Sequence, residues 1–140
     1  MSANSKCFVD TNILLYAQDS STGEKHERAG RLIKDLWSSR NGVISTQVLQ
    51  EFCYSVGKSA RPPSPNELYE AIEDLLKWQL VVNVGASTLR ALDFQRRYQV
   101  SFWDALIVQA ADTAGAEVLY TEDLADGQSY GSVRVVNPLK

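Results

Sequence analysis

Apolar residues recur along the chain in two rhythms. Short, nearly unbroken runs predict strands: Cys7-Phe8-Val9, Gly42-Val43-Ile44-Ser45, Leu80-Val81-Val82-Asn83-Val84, Val118-Leu119-Tyr120 and Val133-Arg134-Val135-Val136. Between them, apolar positions spaced by three and four predict helices. One runs from His26 to Trp37 through Ala29, Leu32, Ile33 and Leu36, and another carries Val48, Leu49, Phe52, Cys53 and Val56. The segment Arg61-Pro62-Pro63-Ser64-Pro65 must interrupt the helical pattern, because its prolines cannot lie inside a helix. A new amphipathic helix is expected from Asn66, with Leu68, Tyr69, Ile72, Leu75 and Leu76 on one face. Two more follow, over Ser87 to Tyr98 and over Phe102 to Ala114, the latter capped by Gly115. Strands separated by helices imply parallel crossovers, so the predicted fold is an α/β three-layer sandwich, a mainly parallel central sheet flanked by helices. In such a sheet ligands bind outside the carboxyl ends of the strands, and residues just after each strand carry the functional information.

Composition narrows the class without naming a function. A chain of 140 residues, 44% hydrophobic and 22% charged, has the size and content of one ordered domain, expected over residues 1–140. The stretch Met1 to Lys6 is polar, and the apolar run Ile13 to Ala17 is too short for a signal-peptide core or a membrane span, so a cytoplasmic protein is expected. Cys7 and Cys53 read as reduced, buried small hydrophobes. The formal net charge of -3 argues, taken alone, against a nucleic-acid partner.

Three short motifs suggest chemistry that their surroundings deny. Gly127-Gln128-Ser129-Tyr130-Gly131 fits the G-x-S-x-G pattern, but a nucleophile elbow needs a helix after it and a strand is expected there. These glycines fit a turn before the last strand instead. Gly57-Lys58-Ser59 resembles the end of a phosphate loop, yet Phe52 stands where the first glycine belongs and the tripeptide ends a helix. The single histidine, His26, sits among Glu24, Lys25, Glu27 and Arg28 and is expected on the solvated surface.

The carboxylates near the strand ends are harder to dismiss. Asp10 directly follows the first strand, where it could serve as a helix N-cap or face a ligand. Asp104 has Trp103, Ile107, Val108 and Ala111 around it on the helical wheel, so its face is expected to be largely buried. A buried, unpaired carboxylate costs several kcal/mol unless a cation or hydrogen bonds compensate it. Ser101 could supply a capping box there as well. Glu51 lies at the border of an apolar helical stripe, and Tyr120-Thr121-Glu122-Asp123 follows a strand, with one of its two adjacent acids expected to face the site. Carboxylates that converge repel one another, and a hard divalent cation, Mg²⁺ or Mn²⁺, is the simple remedy. Zinc fits poorly, since no Cys/His cluster with ligand spacing exists.

Val9-Asp10-Thr11-Asn12, Glu51, Ser101-Phe102-Trp103-Asp104-Ala105-Leu106-Ile107 and Tyr120-Thr121-Glu122-Asp123-Leu124, in this order and spacing, resemble the PIN domain. Within it they are similar to the VapC group of toxin ribonucleases from prokaryotic toxin-antitoxin pairs. The resemblance runs from about Cys7 to Asn137 and implies a Mg²⁺- or Mn²⁺-dependent endoribonuclease, a homodimer held inactive by a small cognate antitoxin. It also implies that Asp10, Glu51, Asp104 and Asp123 are the metal-binding, catalytic acids, with Asn12 and Thr121 orienting an acid or a water. The last motif departs from the T-x-D-x-D-F pattern of the family: Ala125 replaces the second aspartate and Asp126 stands one place later. Phosphate contacts would come from among Lys25, Arg28, Arg61, Arg96 and Arg97. Two competing readings are a haloacid-dehalogenase-type phosphatase, whose second acid would stand where Asn12 is, and a non-catalytic RNA- or protein-binding module. On the metal-site reading the acidic net charge is that of the metal-free form, because bound divalent cations would add positive charge where a phosphate arrives.

Overall fold

Secondary structure in the computed structural model, which describes residues 5–140, follows the two rhythms closely. The order is β1 (Cys7–Val9), α1 (Thr11–Gln18), a 3₁₀ turn (Ser20–Thr22), α2 (Glu24–Ser39), β2 (Gly42–Ser45), α3 (Thr46–Val56), α4 (Pro65–Leu75), β3 (Gln79–Val81), α5 (Gly85–Tyr98), α6 (Phe102–Thr113), β4 (Val118–Tyr120), β5 (Ser129–Tyr130) and β6 (Val133–Val136). One six-stranded sheet has the order β3-β2-β1-β4-β6-β5. Every neighbouring pair is parallel except β5 with β6. Phe8 of β1 lies between Val43 of β2 and Leu119 of β4, and all three are buried. Strands covered on both faces lose the alternation of a half-exposed sheet, which is why they read as continuous apolar runs.

The chain moves outward from β1 through β2 to β3, then returns across the sheet to place β4 on the other side of β1. Right-handed crossovers in opposite directions put their helices on opposite faces. Accordingly α1 packs against α2 and α3, whereas α5 packs on α6, which lies over β2, β4 and β6. Ala105, Ala110 and Ala111 are fully buried, and these small side chains let α6 approach the sheet closely. Strand order reverses between β1 and β4, so a crevice opens at the carboxyl ends of these two strands.

Helix starts are set by short polar side chains. Ser64 forms a capping box with Glu67 around Pro65, the first residue of α4, and Ser45 accepts the Val48 N–H at the start of α3. Gly42 is required by packing, since a Cβ there would lie 2.5 Å from the Trp78 indole ring.

Several expectations need correction. The third strand ends at Val81, not Val84: Asn83 turns to Thr46 and Gln109, and Val82 and Val84 are exposed. The glycine-flanked segment before the last strand is more than a turn, because Ser129 and Tyr130 form the antiparallel edge strand β5 and Gly131, at φ +60°, makes the reversal. His26 is half-buried, its Nδ1 2.9 Å from the Tyr16 carbonyl at the end of α1, and is not a freely solvated side chain. Cys7 is buried as expected but Cys53 only partly, and neither forms a disulfide.

Candidate active site

Asp10 leaves β1 into the crevice, where its backbone N–H donates to the Tyr120 carbonyl of β4 at 3.0 Å. Its backbone is extended, as a helix N-cap requires, and the residue is 6% exposed. The Thr11 N–H donates to Oδ1 at 2.7 Å and the Thr121 hydroxyl to Oδ2 at 2.9 Å. Burial pushes the pKa of this acid up to about 7. The two hydrogen bonds work against that rise, and the carboxylates of Asp123 and Glu51 add to it.

The other acids arrive from separate segments. Glu51 projects from α3 and accepts the Thr11 hydroxyl at 3.3 Å. Partial burial pushes its pKa up, Thr11 and Gln47 oppose the rise, and Asp104 and Asp123 reinforce it. Asp104 lies in the first turn of α6, where its N–H donates to the Ser101 hydroxyl at 3.1 Å. The pKa of its carboxyl is raised by burial and by Asp123, against a hydrogen bond with Ser101. Its face is less buried than the helical wheel suggests: Trp103 is 64% exposed and turns away from the core, leaving Asp104 half-buried. Asp123 sits in the loop after β4, its Oδ2 accepting from Asn12 Nδ2 at 2.9 Å and its N–H donating to Thr121 Oγ1 at 3.1 Å.

Asp123 is therefore near enough to raise the pKa of Asp10, Glu51 and Asp104, and Glu51 also acts on Asp10 and Asp104 on Glu51. Asn12 also donates to Thr121 Oγ1 at 3.2 Å, and Thr121 is fully buried, so a continuous polar chain links Asp10, Thr121, Asn12 and Asp123. The two acids that the sequence left ambiguous lie elsewhere. Glu122 turns to Tyr16 and Lys25, whereas Asp126 accepts the Asn137 N–H at 2.8 Å and pairs with Lys140. The hydrogen bond with Glu122 pushes the pKa of the Tyr16 phenol and of the Lys25 ammonium up. Sequence reasoning missed the roles of Thr11, Tyr16 and Lys25. The four-residue spacing of Asn12 and Tyr16, which puts both on one helix face, was the available signal.

The donor set fits a hard divalent cation. It consists of carboxylates, of which Asp10, Glu51 and Asp104 have raised pKa values, together with Asn12 Oδ1, a buried acceptor without a hydrogen-bond partner. Among the described residues no group of three Asp, Glu, His or Cys side chains is placed to hold a metal ion. Of the basic residues, Lys25 pairs with Glu122, Arg28 with Glu24 and Arg96 with Asp93, and Arg97 lies over the Tyr98 ring.

A family model described as the PIN domain matches residues 7–125. No curated protein matches the chain by sequence. Among solved structures, a toxin-antitoxin complex from Klebsiella pneumoniae is similar at 21% identity and a TM-score of 0.69, covering 96% of this chain and 98% of that one. VapC20 of Mycobacterium tuberculosis, a sarcin-ricin-loop-cleaving toxin, is 19% identical with a TM-score of 0.65, over 84% of this chain and 90% of that one. DNA-bound VapBC from Salmonella typhimurium is 18% identical with a TM-score of 0.63, over 94% and 96% of the two chains. These likenesses establish the fold. Among the described residues no helix is long and apolar enough to cross a membrane.

Proposed function

The chain belongs to the PIN domain family, and from that premise we propose that it is a divalent-metal-dependent endoribonuclease, the toxin of a toxin-antitoxin pair, with residues 1–140 as one nuclease domain. The observation that supports this reading is that Asp10, Glu51 and Asp104, from three separate segments, each lie within electrostatic reach of Asp123 in the loop after β4. Asp10, Asp104 and Asp123 would hold Mg²⁺ or Mn²⁺, with Glu51 supporting a second ion or a water. When bound, the metal supplies Lewis acidity to the phosphodiester and to the water that attacks it.

The chain's own residues prepare that chemistry. The Thr11 N–H and the Thr121 hydroxyl fix both oxygens of Asp10, so its carboxylate does not rotate out of the crevice. Asn12 holds one oxygen of Asp123, and the Ser101 cap fixes the first turn of α6 that carries Asp104. No protein nucleophile is needed, because the carboxylates position a water and accept its proton. The likeness to toxin-antitoxin complexes supports an antitoxin as partner; that the antitoxin is small and the working form a cytoplasmic homodimer belongs to the same proposal.

The test is cleavage of a mixed structured RNA by purified protein with Mg²⁺ or Mn²⁺, with EDTA, and with the Asp10→Asn and Asp104→Asn variants. The expected result is cleavage by the wild type alone, abolished by chelation. Equal cleavage by wild type and both variants, or indifference to EDTA, refutes the reading. A phosphorylated Asp10 after turnover would point to a phosphatase instead.

A further inference from the structure

Asn12 and Tyr16 lie one turn apart on α1, and both side chains reach the loop that follows β4. Asn12 Nδ2 donates to Asp123 Oδ2 at 2.9 Å, and the Tyr16 hydroxyl donates to Glu122 Oε1 at 2.5 Å. Lys25 of α2 closes the second contact, with Nζ 3.1 Å from Glu122 Oε2, 3.4 Å from Tyr16 Oη and 4.9 Å from the Tyr16 ring centroid. Four residues of helix advance about 6 Å, so α1 grips two consecutive acids at points about that far apart. Asp123 is held at the end of α1 that carries Asp10, and Glu122 is drawn one turn away.

We propose that Tyr16, Lys25 and Glu122 form a clamp that positions Asp123, setting the loop after β4 so that its carboxylate enters the crevice while its neighbour's does not. Charge argues the same way as geometry. Lys25 neutralises Glu122 beside the site, so a fifth carboxylate does not join the repulsion among the other four. Lys25 is thereby committed to the fold of the loop and is not a free phosphate contact. The Lys25–Glu122 pair is partly exposed, at 48% and 22% of the side-chain surfaces, and an isolated pair of this kind is weak. Closure through the Tyr16 hydroxyl makes the contact three-membered, and hydrogen bonds to a charged acceptor are stronger than those between neutral groups. The clamp rests on the nuclease reading only for the role which that reading gives Asp123.

Two measurements on the full chain test it: backbone ¹⁵N order parameters of residues 121–126 without metal, and Mn²⁺ affinity by electron paramagnetic resonance. The wild-type loop is expected to be rigid, with order parameters near 0.85, and to fall below about 0.6 in Tyr16→Phe, Glu122→Gln and Lys25→Met. Mn²⁺ affinity should drop about tenfold in the same variants, the scale of a lost support behind a metal ligand. Lys25→Arg should retain both properties, as should Lys77→Gln, which removes a more exposed ion pair with Asp74 away from the loop. Unchanged order parameters overturn the clamp, and a loosened loop with wild-type Mn²⁺ affinity overturns its positioning role. If the wild type binds no Mn²⁺ while the variants loosen the loop, the clamp stands and the nuclease reading fails. Should Tyr16→Phe not fold, Glu122→Gln makes the same test from the loop side.

Discussion

Asp10 does two jobs that pull against each other. As an N-cap it helps to start α1, and as a buried carboxylate it opposes the folded state whenever it is ionised. Its pKa rises from an ordinary 3.8 to about 7 in the fold, so the folded chain keeps this proton while the unfolded chain has already released it. Stability from this group therefore falls as pH climbs from about 4 to about 7 and is flat above, a loss on the order of 4 kcal/mol. Asp10→Asn removes the charge and forfeits about 1 kcal/mol of hydrogen bonding. The metal-free variant should thus resist urea better than the wild type at pH 8, with a smaller advantage at pH 5. The same variant should lose at least a hundredfold in RNA cleavage, so stability and activity move in opposite directions. A less stable variant at pH 8 would show that the hydrogen bonds to Asp10 outweigh its burial.

Among the elements, two helix caps separate stability from activity. Ser64→Ala and Ser101→Ala each remove a hydroxyl that accepts from the third residue of its helix, and each should cost about 1 kcal/mol in denaturant unfolding. Only Ser101 holds the turn that carries Asp104, so only Ser101→Ala should also slow RNA cleavage. Gly42→Ala should destabilise by about 1–3 kcal/mol, because the new methyl group meets a buried indole ring. The strands were legible for a physical reason: burial on both faces makes an apolar run, and Asp10 and Asp123 follow two of those runs. The end of β3 was not, since Val82 and Val84 are apolar yet 59% and 57% exposed, and a pattern of residue types does not report which side chains leave the core. The two residues of β5 are too few for any period to register. The exposure of Asp104 was hidden for a related reason, because the helical wheel counts Trp103 as a buried neighbour. The partner of His26 is a backbone carbonyl, which residue types do not reveal.

For the whole molecule, the proposed metal site couples charge to cation binding. The acids of the site lie within a chain of formal net charge -3, and part of the free energy of folding is spent on holding them together. A cation that binds only the folded form stabilises it by mass action, by about 2.7 kcal/mol at a hundred times its dissociation constant. Millimolar Mn²⁺ should therefore raise the melting temperature at pH 8, with a smaller increase at pH 5.5 where a proton occupies Asp10, and EDTA should reverse both. Equal shifts at the two pH values would place the cation away from Asp10. The sheet order also carries a consequence for biosynthesis. The hydrogen bond between Thr121 and Asp10 spans 111 positions, and β4 is the strand that meets β1 on its free side. A growing chain that already displays Asp10, Glu51 and Asp104 still lacks both the strand that completes the crevice and its fourth acid. Long-range pairing of this kind forms late. Until β4 docks beside β1, Asp10 lacks the Thr121 hydroxyl and Asp123 lacks its Asn12 partner, so both supports are gained in one late step of folding.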